Sequence, residues 1–335
     1  MKAVWYERKG AARDVLIFGE RPEPEPGPGE VRVRIAVSGL NPSDLKGRSG
    51  WRGALEMQYP LIIPHQDGAG TIDRVGPGVA PARVGERVWL YEAQRGRPFG
   101  TAAEFTVVPA AQAVPLPKGV SFEAGAALGV PALTAHRALF IDGSILGQTV
   151  LVTGGAGAVG QASVLLAKWA GARVIATVSR PEQAAVAAAS GADWVINRKT
   201  EDVAARINDV TGGAGIDRVV DVAFEANLDT NLAALKPNGA ISTYAPAAEY
   251  PDIRLPFYQL FAKAITVHLI YVYAMSRAAH DDAVRDVTAA LAASRYHPQI
   301  GPRFPLSETV AAHEALESGR TVGKVLIDVD AMVAR

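Results

Sequence analysis

The stretch that most restricts the fold is VLVTGGAGAVG at 150–160. Gly155, Gly157 and Gly160 follow an apolar run and open the segment AVGQASVLLAKWAG, where Val159, Ala162, Leu166 and Trp169 (or Leu165) recur at helical spacing. A G-x-G-x-x-G turn between strand and helix, inside a unit of about 30 residues, is the arrangement that cradles a dinucleotide pyrophosphate. Its glycines permit the turn, the close backbone approach and the tight helix-to-strand packing. Gly155, Gly157, Ala158, Val159 and Gly160 are therefore expected to hold the phosphates, and a plain turn is the weaker alternative.

The flanks extend this pattern. TVLVT, ARVIATV, DWVIN, IDRVVDV, GAISTY and ITVHLIYVY are β-type runs separated by alanine-rich helices, with Gly171 and Gly191 where C-terminal caps belong. That rhythm predicts an α/β domain with a Rossmann-type, doubly wound parallel sheet. The first 120 or so residues differ. After the proline-rich loop PEPEPGPG at 22–29, EVRVRIAV alternates Val31, Val33, Ile35 and Val37 against Arg32 and Arg34, which predicts a half-buried strand, and GTIDRV, GERVWLY and AEFTVVP continue a β-rich region. A chain of 335 residues exceeds one ordinary core, so two domains are expected.

Composition narrows the function. Lys plus Arg and Asp plus Glu each number 34, so net charge directs the protein neither to nucleic acid nor to an anionic membrane, and a small molecule is the expected partner. There is no cysteine, which excludes disulfides, thiolate zinc sites and a cysteine nucleophile. Glu7, Arg8 and Lys9 interrupt the N-terminus before a signal-peptide core forms, and no run of about 18 apolar residues is present. The expectation is a soluble cytoplasmic protein whose redox chemistry, if any, uses a borrowed cofactor.

The choice of dinucleotide is made at the end of the second strand, where NAD binders place an acid about 20 residues beyond the motif to grip the ribose hydroxyls. Here the stretch is TVSRPEQ: Ser179 and Arg180 occupy that place, and the first acid is Glu182. A hydroxyl and a guanidinium favour the 2′-phosphate of NADPH. Alternatively Ser179 merely caps a helix and Arg180 is a solvated charge.

NPSDLKGRSG at 41–50, HQDGAGTIDRVGPGV at 65–79, GVPALTAHRAL at 129–139, the glycine motif, GADWVIN at 191–197, LKPNGAI at 235–241 and FPLSETVAAHEALESGRTVGKVLID at 304–328 carry a resemblance over nearly the whole chain. It resembles the zinc-free quinone oxidoreductases, the ζ-crystallin-like branch of the medium-chain dehydrogenase/reductase superfamily. The resemblance implies a GroES-like catalytic domain (1–125 and 270–335), an inserted NADP(H)-binding domain (126–269) and an active site in the cleft between them. In zinc-dependent relatives a cysteine stands at Asn41 and a G-H-E sequence at His65, Gln66 and Asp67, so no catalytic metal is expected. The histidines show no H-E-x-x-H spacing and are expected to be surface or satisfied residues.

By position, the resemblance puts Asn41 beside the nicotinamide, Thr134 at the diphosphate or ribose, Ala223, Phe224 and Tyr244 on strands walling the nicotinamide, and Lys324 back at the cleft. Ordinary packing or turn roles are the alternatives. Many relatives carry a tyrosine after VIN and a lysine at the place of Gln183, both serving the 2′-phosphate; this chain has Arg198, either their replacement or a solvated arginine. Lys46, Trp51 and Arg52 stand where some relatives have pocket tyrosines. Asn41, Arg52 and Lys46 are the candidates to polarise the acceptor carbonyl, Trp51 a stacking wall, and solvent or Tyr59 a proton source. The expected activity is NADPH-dependent reduction of a quinone, with reduction of α,β-unsaturated carbonyls as the alternative enzyme and a dinucleotide-binding structural or regulatory protein as the alternative of another class. The apolar run at 265–273 is expected to be an exposed sixth strand through which a homodimer forms.

Overall fold

In the computed structural model, residues 1–51, 55–247 and 252–330 are described. Along the chain come β1 (Lys2–Trp5), α1 (Ala12–Val15), β2 (Ile17–Glu20), β3 (Glu30–Gly39), α2 (Pro42–Ser49), β4 (Asp67–Val75), β5 (Arg87–Leu90), β6 (Phe105–Pro109), β7 (Ala113–Pro115), α3 (Phe122–Ala126) and α4 (Gly129–Phe140). The alternating βαβ region gives β8 (Thr149–Val152), α5 (Ala158–Trp169), β9 (Arg173–Val178), α6 (Pro181–Ala189), β10 (Trp194–Asn197), α7 (Val203–Thr211), β11 (Ile216–Asp221), α8 (Phe224–Ala234), β12 (Leu235–Thr243), α9 (Phe257–Ala262), β13 (Thr266–Leu269) and α10 (Arg277–Ala292). The chain closes with β14 (Ile300–Pro305), α11 (Thr309–Glu317) and β15 (Lys324–Asp328).

Two compact units result, one of residues 1–130 with 298–335 and one of residues 131–297. The second crossing therefore falls later than the expected 269/270. β13 pairs in register with β12, and α10 buries Ala283, Val287, Ala290 and Leu291, so both elements stay with the inserted unit.

In unit 1 a seven-stranded sheet is built around β3, which pairs antiparallel with β4, β6 and β15. This corrects the reading of a half-buried strand. With partners on both edges β3 is central, and even Arg32 is only 2% exposed. Arg32 survives burial because Asp73 accepts two hydrogen bonds from its guanidinium, at 3.0 and 2.7 Å, and the Phe105 ring lies 4.7 Å from its Cζ. Val31, Val33 and Ile35 meet Ile72, Val88 and Leu90 in the core beneath.

In unit 2 six parallel strands run in the order β10-β9-β8-β11-β12-β13, the doubly wound arrangement expected. The order reverses between β8 and β11, and the glycine loop follows β8 at that switch point. Helix α5 is buried on more than one face, from Gly160 through Ala167. The run at 265–273 is not one long strand. Only Thr266–Leu269 pairs, and Val272–Ala274 turns into a 3-10 helix. Ile265 and Val267 pack on the unit's own core, whereas Leu269 is 78% exposed at the sheet edge.

Candidate active site

Packing separates the roles of the motif glycines. A Cβ on Gly155 would lie 2.8 Å from the Ala176 Cβ, and one on Gly160 would lie 2.1 Å from the Gly154 carbonyl oxygen, so the fold itself requires both to be glycine. A Cβ on Gly157 would meet nothing nearer than the Gly154 oxygen at 3.4 Å, an ordinary contact. The protein's packing thus leaves space over Gly157, which a closely approaching phosphate would fill. Gly157 is the N-cap of α5 and offers no side chain to the first-turn N–H groups of Ala158, Val159 and Gly160. Those donors have no intrahelical partner and lie at the positive end of the helix, which suits a pyrophosphate. The residues present fit a dinucleotide.

The end of β9 assembles three of the expected residues. Arg198, exposed after β10, donates from Nε to Ser179 Oγ at 2.8 Å, which brings these two candidates together. Ser179 is oriented by its own N–H, which donates to Gln183 Oε1 at 2.9 Å. Arg180 is the N-cap of α6, with Nε 2.7 Å from Glu182 Oε1. The Ser179 hydroxyl thus meets the Arg198 guanidinium, while the neighbouring Arg180 is paired with an acid, Glu182.

The remaining unit 2 candidates divide. Ala223 donates its N–H to Asp221 Oδ1 at 2.6 Å and precedes α8. Phe224 is 4% exposed and packs with Leu228 and Leu232 in the core, the ordinary packing role. Tyr244 follows β12, and burial followed by the Asp221 charge pushes its phenol upward. Thr134 is a buried residue within α4.

Unit 1 gathers Asn41 and Lys324 through sheet register. Asn41 follows β3; Gly39 of β3 faces both Asp67, the first residue of β4, and Leu326 of β15, two residues beyond Lys324. Lys324 Nζ donates to Asn41 Oδ1 at 2.5 Å and to Asp67 Oδ2 at 2.7 Å, and Asn41 Nδ2 donates to the same Asp67 oxygen at 2.8 Å. The other Asp67 oxygen accepts the Val130 N–H at 2.9 Å, an approach possible because position 129 is glycine: a Cβ there would lie 1.9 Å from Asp67 Oδ1. Asp44 accepts the Asn41 N–H at 2.7 Å. Burial, and next the Asp67 charge, push the Asp44 carboxyl up to about 7. Lys324 is thus engaged inside unit 1 by Asp67, a partner the sequence reading missed, and only 3% of it is exposed.

The expected substrate residues lie at the surface of α2 and just beyond. Lys46 Nζ sits 5.5 Å above the Trp51 ring, which is 42% exposed. Tyr59 donates its hydroxyl proton to the Gly96 carbonyl at 2.6 Å, so that proton is already committed and Tyr59 is a poor source. Arg52 lies outside the described residues. Of the histidines expected to be surface or satisfied residues, His313 is of the second kind: it is completely buried together with His65, and the two face each other at 2.9 Å between their Nε2 atoms. Their separation by 248 residues left no spacing signal. Among the described residues no group of three or more His, Asp or Glu side chains could hold a metal ion, and no helix is long and apolar enough to cross a membrane.

Comparison with known proteins agrees with this geometry. Residues 27–118 match the alcohol dehydrogenase GroES-like domain and residues 158–289 match the zinc-binding dehydrogenase family. The chain is 30% identical to a 2-haloacrylate reductase of Burkholderia sp over 295 residues, 86% of this chain and 87% of that protein. It is 28% identical to the quinone oxidoreductase of Rattus norvegicus over 293 residues, 86% of each. The quinone oxidoreductase of Thermus thermophilus, solved alone and with NADPH, superposes with a TM-score of 0.80 at 31% identity, covering 98% of this chain and 100% of that one. With a glycine-cradled parallel sheet, a β-rich partner unit and no cysteine to ligate zinc, the chain belongs to the medium-chain dehydrogenase/reductase superfamily of oxidoreductases, in its zinc-free quinone oxidoreductase branch.

Proposed function

We propose that this protein is an NADPH-dependent reductase that passes hydride to a quinone. One observation carries the cofactor assignment: β9 is followed directly by Ser179 and Arg180 where an NAD site needs an acid, and Arg198 bonds to that serine. The 2′-phosphate would be held by Arg198, Arg180 and Ser179, and the pyrophosphate by the N–H groups of Ala158, Val159 and Gly160 over the open face of Gly157. When bound, the cofactor supplies the hydride. The chain's own part is to neutralise the charge that develops on the acceptor oxygen. Lys46 above Trp51 offers an exposed ammonium and a flat apolar face together, which suits an aromatic or conjugated carbonyl acceptor, with Arg52 as the further cation. Asn41, whose amide is tied to Asp67 and Lys324, acts from a fixed position.

The similarity to a 2-haloacrylate reductase favours a second reading, reduction of an activated carbon–carbon double bond beside a carbonyl or carboxyl group. Both acceptors take hydride and leave negative charge on oxygen. A panel of benzoquinones, naphthoquinones, enones and substituted acrylates, with NADPH consumption as readout, separates them. Turnover confined to quinones supports the first reading, and turnover confined to the others replaces it with the second.

We also propose a homodimer through the edge of unit 2. Leu269 at the end of β13 and Tyr271 just beyond it, with Phe257, Tyr258 and Phe261 on α9, are exposed apolar side chains on this unit, and the outer edge of β13, which pairs with no further strand among the described residues, offers backbone groups to a second copy.

A further inference from the structure

Going beyond the reading above, and resting on it only for a kinetic measurement, we infer that His65 and His313 are positioning residues. They head a one-way chain of hydrogen bonds that runs through Ser38 and Thr101 to the main-chain carbonyl of Asp67, and so hold the residue whose carboxylate binds Asn41 and Lys324.

The contacts are continuous. His313 Nε2 is 2.9 Å from His65 Nε2; His65 Nδ1 is 2.9 Å from Ser38 Oγ; Ser38 Oγ is 2.7 Å from Thr101 Oγ1; Thr101 Oγ1 is 2.5 Å from the Asp67 carbonyl oxygen. Ser38, His65, Thr101 and His313 are each 0% exposed.

Every proton in this chain is fixed by the one after it. A carbonyl oxygen only accepts, so Thr101 spends its single hydroxyl proton on Asp67. At the next contact Ser38 must then be the donor, which uses its only proton. His65 must therefore donate from Nδ1. A neutral imidazole carries one N–H, which leaves His65 Nε2 bare, and His313 must donate to it from its own Nε2. Burial keeps both rings neutral, with the nearby Lys324 ammonium acting further on His65, and with His65 and the Arg48 guanidinium acting further on His313. The deduction ends with a bare lone pair on His313 Nδ1, and that buried nitrogen has no hydrogen-bond partner.

Backbone conformation adds an independent sign. His65 has φ 81°, left-handed space that costs a non-glycine residue on the order of 1–3 kcal/mol. A glycine would avoid the cost, and the imidazole with its two hydrogen bonds offsets it. Thr101 grips the segment twice, since its N–H also donates to the His65 carbonyl at 3.1 Å. The chain thus clamps the start of β4 from α11, while Asp67 holds Asn41, Lys324 and the Val130 N–H on its side chain.

Long-range proton–nitrogen correlation spectra of the full-length, ¹⁵N-labelled protein test this, with assignments from His65→Gly and His313→Gln. The expected spectrum has His65 protonated on Nδ1 and His313 on Nε2, neither titrating from about pH 8 to pH 5. A proton on His65 Nε2, or an imidazolium at neutral pH, overturns the chain. Glycine suits the left-handed backbone, so His65→Gly removes the imidazole without adding backbone strain. In that variant kcat is expected to fall about tenfold with KM for NADPH within about twofold. His313→Gln still donates to His65 and is expected to keep kcat, whereas His313→Leu behaves like His65→Gly. Unchanged kcat in both His65→Gly and His313→Leu overturns the positioning role. Proton exchange of the Lys324 ammonium gives a readout that does not depend on turnover, so it separates this inference from the quinone reading: it is expected to quicken at least about tenfold in His65→Gly, and exchange at the parent rate contradicts the inference.

Discussion

Lys324 Nζ lies 2.7 Å from Asp67 Oδ2, an ion pair with both side chains buried that joins residues 257 positions apart in sequence. It ties the C-terminal return of the chain to the first residue of β4. Removing one partner leaves the other charge without compensation in a dry interior, a loss of about 3–5 kcal/mol. Lys324→Met is therefore expected to lower the unfolding free energy by about that amount in urea. Adding Asp67→Asn should recover part of it, and a single-variant loss under about 1 kcal/mol would refute the pairing.

Acid stability should separate His65 from Asp44. Burial holds His65 at about 3, below its ordinary 6.5, so as pH falls below 6.5 the unfolded chain takes up a proton that the folded one refuses, and stability drops. Asp44 acts in the opposite sense. Its folded value of about 7 exceeds its ordinary 3.8, so the folded state takes up the proton first and gains stability as pH falls from 7 toward 3.8. Between pH 6.5 and 5 the dependence should flatten in His65→Gly and steepen in Asp44→Asn. Thermal melts across that range provide the check, and parallel curves for both variants and the parent would argue against these assignments.

Arg198 is expected to matter for one cofactor only. Arg198→Ala removes a charge-assisted contact to the 2′-phosphate and should raise KM for NADPH about tenfold while leaving KM for NADH within about twofold. Arg180→Asp should act in the same direction and more strongly, because it places a negative charge beside that phosphate. Equal effects on both cofactors would assign the two arginines to the surface.

The sheet edge is tested by mass in solution. Light scattering at micromolar concentration is expected to give twice the 35.2 kDa of one chain, and Leu269→Asp should shift the mass toward a monomer. A monomeric parent would mean that β13 ends the sheet without a partner.

The parallel sheet was legible because its signals are local: glycines at fixed offsets, strands and helices alternating, and Ser179-Arg180 directly after a strand. Unit 1 was legible in texture but not in its interior. Arg32 was read as the solvent face of β3 because alternation shows only polarity, whereas its burial depends on Asp73 and Phe105 from other strands. Asn41 and Lys324 were each placed at the site, but their shared partner Asp67 depends on the register of β3 with β4 and β15. The His65–His313 contact was invisible for the same reason. The domain boundary was misplaced after β13 because α10 has no sequence mark of the unit on which it packs.

The central claim is hydride transfer from NADPH without a metal. The direct measurement is kcat/KM for NADPH and for NADH with one quinone acceptor, on protein dialysed against a chelator. The account predicts full activity after chelation and a preference for NADPH of at least about tenfold, as expected when one charge-assisted contact distinguishes the cofactors. Equal use of the two cofactors, or activity that is lost on chelation and restored by zinc, would contradict it.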